Sequence, residues 1–541
     1  MAVPKGDAMG IGVIKTFRTR MSLITRTNTD FLKGKSARLR DIRVIRVQNH
    51  GNSQGTEKVK LEKPCVEIVW PPAVLVAVFV LSRLLYARAG IRFEAGTITS
   101  SWHFIDIHLL ETDLWRSVFY LHTQPPLLNL LTGLGLQLFP ANYPAVFHAL
   151  FLLTGLAFAF SIYFLGNRLG FPKGLSLLLA AWFCVSPATI IYENILSYAY
   201  PLPAALAMAA VFLARFLENR RPIDGLLFSF LLAGMALTWS LFHLAWLAGC
   251  LAIAWFALKG ARTKAAWLLP ALLLVTAWYA KNALLYDTFS ASTWGGLNLF
   301  KIVTYEIPGE VRKGWVKEGK VSELALVPPF RSPEVYLEFF PDTPLTGVPL
   351  LDEHYTSTGY RNQHHRVYVP AGERYWNDSL RMIALAPQAY LRSVLRAAYI
   401  YFHSASDYKQ VMDIRQPVDR LDTLWNRLFY GQWQKDESLQ ERAARFSPGH
   451  VAWFLTIGFL LAVAGLPAWL WKARARLSEP RPALLLFLLW NLLFVSIISV
   501  TMDLGENNRF RFSIDALALL ALVFVVRNSR EIFTATHKQI F

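Results

Sequence analysis

The chain has 541 residues, of which 54% are hydrophobic and only 17% charged, and its mean hydropathy is positive. This composition predicts a membrane protein that crosses the bilayer several times and excludes a soluble enzyme. Its net charge of +18 is concentrated in a few short segments, so it reflects membrane topology rather than nucleic-acid binding. Three cysteines, far apart along the chain, predict neither a disulfide framework nor a zinc site built on cysteines.

The amino-terminal segment, residues 1–65, is strongly basic. Its first 63 residues hold 14 Lys and Arg against 5 Asp and Glu, and they contain no apolar run long enough for a cleavable signal. We therefore expect a cytoplasmic tail without regular structure. Two interpretations of its charge stay open, namely attraction to anionic lipid headgroups and simple orientation of the first span.

Ten apolar runs follow, most of roughly 17 to 24 residues, a length that can cross a hydrocarbon core of about 30 Å. They predict an all-α bundle of about ten transmembrane helices. The fifth and sixth runs adjoin, so the sequence does not fix the turn between them. The runs are residues 66–87, 143–165, 174–191, 198–216, 225–240, 241–258, 265–285, 450–471, 482–500 and 512–526.

The loops between the runs predict which side of the membrane each one faces. If the basic tail is cytoplasmic, the connections that fall on the same side each carry an excess of Lys and Arg, as cytoplasmic loops do. The protein is thus expected in the cell (inner) membrane, with three segments on its outer face. The predicted parts are a core at 66–285 with an outer loop at 88–142, an extracytoplasmic α or α+β domain at 286–448, spans at 449–527 and a cytoplasmic tail at 528–541.

Two further segments have helical periodicity but are not predicted to span. Residues 125–139, `PPLLNLLTGLGLQLF`, are apolar but short and Gly-rich, which favours an interfacial or re-entrant helix that begins at Pro125. Residues 377–402 alternate apolar and arginine positions at helical spacing, as expected of a helix along the membrane surface.

The first outer loop carries the most chemically suggestive stretch, `SSWHFIDIHLLETDLWRSVFYLHTQPPLLNLL`, residues 100–131. In a helix, Asp106 and Asp113 would share a face because they are seven residues apart. Asp106 has apolar and aromatic neighbours, so its carboxylate would be partly desolvated, which suits a general base. Alternatively, these acids and Glu111 face water or pair with Arg116.

Three histidines of the same loop raise the question of a metal site. His103, His108 and His122 are separated by five and fourteen residues, which fits no standard spacing of metal ligands. We therefore expect no metal and no divalent-cation cofactor.

A second polar stretch, `DLGENNRFRF`, precedes the last span at the outer face. Arginine binds phosphate with its planar fork, so Arg509 and Arg511, together with Glu506 and Asn507, could form a phosphate cradle. On a helix the two arginines diverge by about 200°, so only one of them is expected to face a given ligand. Snorkelling to headgroups is the alternative. A general base on one side of a cleft and a phosphate-binding site on the other suggest transfer of a sugar from a lipid phosphate.

The layout of first span, acidic outer loop, `HTQPPLLN` helix and bundle resembles the glycosyltransferase C (GT-C) superfamily, in its bacterial branch similar to protein O-mannosyltransferases and aminoarabinose transferases. The stretches `KNALLYDTFSASTWGGLNLF` and `GENNRFRF` resemble further motifs of that family. The resemblance implies an inverting transfer with Asp106 as catalytic base. It also places His122, Gln124 and Lys281 near the donor phosphate, although Lys281 could equally be an interfacial anchor.

Other acids remain secondary candidates on the same outer face. Glu94 and Asp113 could replace Asp106 as base. Glu193, in `IIYENILSYAYP`, could orient a sugar or acceptor, or could only help to cap the next helix.

The expected function is therefore transfer of a sugar from a polyprenyl-phosphate donor to an acceptor hydroxyl at the outer face. The expected partners are membrane lipid and the lipid-linked sugar, without nucleic acid. The acceptor stays open among protein, lipid A and polysaccharide. A transporter or flippase of lipid-linked sugars is the main alternative, and a structural envelope protein is a third.

Overall fold

The computed structural model describes residues 70–258, 266–435 and 446–534. Helices dominate these ranges, which contain no β-strand and only two isolated β-bridges, Glu94 with Ile195 and Tyr355 with Arg361. The predicted basic tail lies outside the described residues, as does the whole connection at 259–264. The helical class predicted from the sequence is therefore confirmed.

Within the described ranges, six helices are long and apolar enough to cross a membrane, which makes the protein a multi-pass membrane protein. A seventh span exists if one bent pair of helices is counted, Lys173–Val185 and Pro187–Glu193, which meet at 56°. The bend falls at Ser186, because its backbone is extended and Pro187 restarts the helix. The six are Trp70–Arg88, Tyr143–Arg168, Pro201–Asn219, Ala266–Tyr286, Trp453–Lys472 and Pro480–Met502.

The remaining apolar runs form shorter helices. Pro222–Ala236 and Leu244–Ala257 are 15 and 14 residues long, and they place the turn that the sequence left open at residues 237–243. The last run forms Asp515–Arg527, and Ser529–Thr534 follows it. The described part of each predicted run thus lies mainly on helix, whereas the number of ten spans stays a prediction.

The helix predicted at 125–139 is present as Leu127–Leu138, twelve residues long, with Pro126 at its N-cap. The helix predicted from residue 377 is broken into two, Tyr368–Leu385 and Pro387–Tyr401, because Pro387 cannot continue the preceding backbone hydrogen bonds. Its surface placement relative to a membrane stays a prediction.

The described part of 286–448 is built from short helices and turns. Its α-helices, besides the two just named, are Gly295–Val303, Gly309–Lys317, Pro333–Leu337, Pro349–Asp352, Met412–Arg415 and Asp419–Trp425. The 3-10 turns are Glu323–Leu326, Ala405–Asp407, Lys409–Val411 and Gln416–Val418, and a π turn spans Asn426–Tyr430. Further 3-10 turns, Pro448–His450 and Arg474–Arg476, flank the helix Trp453–Lys472.

Apolar packing joins the loop after the first span, residues 88–142, to the helices that follow it. Ile105, Leu110 and Leu121 of this loop are buried in one cluster with Ile191 and Tyr200. Full burial of an Ile or Leu side chain stabilises the fold by about 1.5–3 kcal/mol. The candidate acid Asp106 therefore belongs to a well-packed part of the fold.

Gly296→Ala is expected to destabilise the protein, because a Cβ at residue 296 would overlap the carbonyl oxygen of Gly372. This close approach packs the helix Gly295–Val303 on Tyr368–Leu385, and overpacking costs about 1–3 kcal/mol. Thermal unfolding in detergent measures the effect. Gly295→Ala is the matched control, since its Cβ meets nothing within 4 Å. Equal melting temperatures for the two variants would contradict the assigned role of Gly296.

Candidate active site

Asp106 is the N-cap of the short helix Ile107–Thr112, and its side chain is 8% exposed. Its Oδ1 accepts hydrogen bonds from the His108 amide (3.2 Å) and the Ser357 hydroxyl (2.5 Å). Its Oδ2 accepts from the Ser357 amide (2.7 Å). A carboxylate at a helix N-terminus is stabilised by the unpaired amides there.

The outer-loop segment differs from the single helix considered above. The helix that begins after Asp106 ends at Thr112, and Asp113 has a non-helical backbone (φ −137°) before a second helix, Leu114–Tyr120. Asp106 and Asp113 therefore do not share one helical face. Asp113 is the N-cap of the second helix. The helix is interrupted there because Asp favours helix starts over helix interiors.

Arg509 lies in the helix Asn507–Phe512, where its side chain is 3% exposed. Its guanidinium pairs with Glu506 and donates to the Tyr198 hydroxyl (2.8 Å). Four aromatic rings surround it, with centroids 5.0 to 5.3 Å from its central carbon, so cation–π attraction adds to the ion pair. The Nε of Arg509 finds no hydrogen-bond partner among the residues that the structure describes. One donor of a buried guanidinium is thus free to bind a ligand.

A hydrogen-bond chain connects Arg509 to the first outer loop. The Tyr198 hydroxyl contacts His103 Nε2 (3.2 Å), and that nitrogen also accepts from Trp102 Nε1 (3.1 Å). Because a tryptophan indole only donates, His103 Nε2 carries no proton. Burial, helped by the nearby charge of Arg509, lowers the pKa of His103 to about 3, so this side chain is neutral at pH 7. His103 precedes Asp106 by three residues, so the hydrogen-bond chain joins Arg509 to the loop that also holds the candidate base.

Two cavities adjoin this network. One of about 340 Å³ contains Asp106 and is named here the Asp106 cavity; a second of about 460 Å³ contains Asp503 and is named the Asp503 cavity. A third, of about 450 Å³, shares Ser290, Ser292 and Trp376 with the Asp503 cavity. Hydroxyl and aromatic side chains line all three, as is suitable for a sugar.

A continuous series of ring contacts runs from the Asp106 cavity to the Asp503 cavity. Neighbouring rings lie 4.8 to 6.3 Å apart, in the order Trp102, Phe330, Trp294, His103, Tyr198, Trp239 and Phe510. Phe330 adopts a positive φ of 61°, which is uncommon for a bulky residue and often marks a functional site. Sequence reasoning missed Tyr198, Trp239 and Phe330, although Tyr198 stands in the stretch that contains Glu193.

The second arginine, Arg511, has different surroundings. Its side chain is fully buried, pairs with Asp515 (2.9 Å) and donates to the carbonyl oxygens of Tyr401 and His403. Asn507 donates to the carbonyl oxygens of Ser499 and Asp503. These contacts hold the helix Asn507–Phe512 in place, which leaves Arg509 as the arginine of the pair that faces the aromatic rings.

Arg511→Ala is expected to destabilise the protein by about 3–5 kcal/mol, because it leaves the Asp515 carboxylate without its buried partner. Thermal unfolding in detergent measures this loss. A variant as stable as wild type but with weakened donor use would instead assign Arg511 to the ligand.

The residues His122, Gln124 and Lys281 form a separate group around the `HTQPP` turn. His122 is fully buried, with Nδ1 2.8 Å from the Thr293 hydroxyl and Nε2 3.0 Å from the His364 carbonyl oxygen. Burial lowers its pKa to about 3, so it is neutral. Lys281 donates to the Leu121 carbonyl oxygen (2.6 Å) and lies over the Trp278 ring. Gln124 is buried.

None of the hydrogen bonds in the described ranges joins this group to Arg509. His122 instead holds the turn against Thr293 and His364, and Lys281 binds the Leu121 carbonyl oxygen just before it. Their role at a donor phosphate stays a prediction.

The secondary acids lie apart from the Asp106 network. Glu94 is exposed and accepts from the Gly96 amide (2.6 Å), while Asp113 is partly exposed. Glu193 is fully buried, with its carboxylate bound by Arg83 (2.6 and 2.8 Å) and the Tyr200 hydroxyl (2.5 Å). Glu193 therefore ties the first span to the bent helix pair.

One further ion pair borders the site. Lys301 pairs with Asp503, and both side chains are about 10% exposed. The pair anchors the helix Gly295–Val303 beside the Asp503 cavity. Within the described ranges, no three His, Cys, Asp or Glu side chains are grouped so that they could hold a metal ion.

No protein-family model and no characterised protein matches the sequence. Among solved structures, the chain is similar to an oligosaccharyltransferase of Archaeoglobus fulgidus tethered to an acceptor peptide with an NVT sequon, with 13% identity and a TM-score of 0.36. It is also similar to the archaeal oligosaccharyltransferase AglB of the same organism in complex with an inhibitory peptide and a dolichol-phosphate, with 11% identity and a TM-score of 0.35. Each match covers 86% of this chain and about half of the other chain, 51% and 52%.

Proposed function

We propose that this protein is an integral-membrane glycosyltransferase of the GT-C type that moves a sugar from a polyprenyl-phosphate donor to an acceptor hydroxyl. The reaction takes place at the outer face of the cell membrane, with the amino terminus in the cytoplasm. The observation that carries the proposal is the chain from Arg509 through Tyr198 to His103, which connects a buried cation to the loop that holds Asp106.

Asp106 is the general base in this proposal. It takes the proton of the acceptor hydroxyl as that oxygen attacks the anomeric carbon of the sugar. The bond between this carbon and the phosphate oxygen breaks, and polyprenyl phosphate leaves with the bonding electrons. Attack from the side opposite the phosphate inverts the anomeric configuration.

Arg509 binds the departing phosphate. Its charge is held in an aromatic, nearly water-free environment, where electrostatic stabilisation of an anion is stronger than in water. When phosphate replaces Glu506 as the partner of Arg509, the buried positive charge of Arg509 stays paired with a negative charge. The hydroxyl-rich cavities on either side of the ring series accommodate acceptor and donor.

The test uses purified protein in lipid nanodiscs and a panel of polyprenyl-phosphate sugars, with protein, lipid A and polysaccharide preparations as acceptors. We expect at least one donor to be consumed, with release of polyprenyl phosphate and an inverted linkage in the product. Retention of the anomeric configuration, or no consumption across the panel, would overturn the proposal.

A further inference from the structure

The carboxylate of Asp106 is occupied in this structure by a turn from the large outer segment. Ser357 is 251 residues away in sequence, yet its amide and hydroxyl bind the two carboxylate oxygens at 2.7 and 2.5 Å. An acceptor hydroxyl must donate to the same carboxylate before Asp106 can remove its proton. Ser357 therefore stands where the acceptor hydroxyl has to bind.

We infer that Ser357 is a built-in pseudo-acceptor, and that the turn 355–361 is a lid that the acceptor displaces. This inference rests on the proposed function and adds to it a device that protects the donor from water. While the lid is closed, Asp106 cannot activate a water molecule, so the sugar stays on its lipid until an acceptor arrives.

The turn 355–361 has a fixed base and an exposed tip, as expected of a segment that moves. Its base is fixed by Asn362, which donates to the carbonyl oxygens of Leu350 (2.8 Å) and Glu353 (2.6 Å). Its tip is exposed from Ser357 to Tyr360, and Gly359 adopts a left-handed φ of 79° that closes the turn.

Few contacts hold the tip down. Besides those of Ser357, the hydrogen bond that joins the tip to the first outer loop is a long one, from the Thr358 hydroxyl to the Thr99 carbonyl oxygen (3.3 Å). Tyr355 and Tyr360 are about half exposed. Opening of the lid thus breaks polar contacts to Asp106 without uncovering an apolar core.

The same outer segment contains a matched pair that lies outside the cavities. Ser322 binds Asp378 in the same way, with its amide on one carboxylate oxygen (3.1 Å) and its hydroxyl on the other (2.5 Å). Asp378 is 1% exposed and lines none of the three cavities described above. Ser322→Ala therefore removes an equivalent hydrogen bond without affecting Asp106.

The experiment measures hydrolysis of a polyprenyl-phosphate sugar by purified protein in nanodiscs, without acceptor. In hydrolysis, Asp106 takes a proton from water, the water oxygen bonds to the anomeric carbon, and polyprenyl phosphate leaves. Ser357→Ala is expected to raise this rate about tenfold, the size of one charge-assisted hydrogen bond. Ser322→Ala is expected to hydrolyse at the wild-type rate, whereas Ser357→Thr, which keeps a hydroxyl, is expected to raise the rate less than Ser357→Ala does, and melting temperatures verify folding.

The outcomes separate this inference from the proposed function. If donor consumption depends on Asp106 but Ser357→Ala lowers it or leaves it unchanged, Ser357 only positions Asp106 and the lid is disproved. If no variant consumes any donor, the proposed function fails, and the lid fails with it.

Discussion

Asp106→Asn is expected to abolish sugar transfer, with a loss of roughly a hundred- to ten-thousandfold in kcat, the usual contribution of a general base. The amide has the shape of the carboxylate, and its oxygen can still accept from the His108 amide and the Ser357 hydroxyl, although its nitrogen cannot accept from the Ser357 amide. It cannot take a proton from the acceptor. The loss should therefore appear in initial rates of product formation, while expression and melting temperature stay close to wild type.

Asp378→Asn is the matched control for this variant, because Asp378 accepts the same two hydrogen bonds from a serine. It should keep the wild-type rate. If Asp106→Asn retained activity, the assignment of the base would move to Glu94 or Asp113.

Arg509→Lys is expected to raise the KM for the lipid donor by about tenfold or more. Lysine keeps the positive charge, but it loses the planar fork that binds two phosphate oxygens, and a hydrogen bond between charged groups contributes about 1.5–3 kcal/mol. Lysine is preferable to alanine here, because alanine would also leave Glu506 without its buried partner. The measurement is the dependence of initial rate on donor concentration.

Arg415→Lys controls for the general effect of replacing a buried arginine. Arg415 pairs with Asp407 (2.7 Å) in the outer segment and lines none of the three cavities described above. It should leave the KM for the donor unchanged. An unchanged KM in Arg509→Lys would remove Arg509 from the phosphate site.

The helices were largely predictable, since apolar runs of spanning length can satisfy their backbone hydrogen bonds in lipid only as helices. Breaks within them were harder to predict. Pro387 interrupts one predicted helix, and the Ser186 bend divides another, because the surrounding tertiary structure decides whether a proline kinks or ends a helix. For the same reason, the number of helices that fully cross the membrane does not follow from run length.

The candidate site was predictable in its parts but not in its connections. The sequence pointed to Asp106 and Arg509 because ionisable side chains beside a membrane need a polar partner. It did not point to Tyr198, which contacts Arg509 from 311 residues away, or to Ser357, which contacts Asp106 from 251 residues away. Serine and tyrosine are common and are tolerated at many positions of a fold. No local sequence pattern therefore distinguishes Tyr198 and Ser357 from the other hydroxyl side chains.

Arg511 and Glu193 were predicted as site residues, but in the structure they form internal ion pairs. Both have the charge of ligand-binding residues and are predicted to lie on the outer face. In the structure, however, Arg511 binds Asp515 and two carbonyl groups, and Glu193 binds Arg83 and Tyr200. Which of several charged side chains contacts the ring series between the cavities depends on long-range packing, and the sequence does not reveal it.

The most direct test of the account is lipid analysis by mass spectrometry of sealed proteoliposomes that contain the protein and the panel of polyprenyl-phosphate sugars. The account predicts cleavage of a donor to polyprenyl phosphate, in an amount equal to the sugar transferred, and no cleavage by Asp106→Asn. Movement of an intact lipid-linked sugar to the opposite leaflet, without polyprenyl phosphate, would contradict it and identify a transporter.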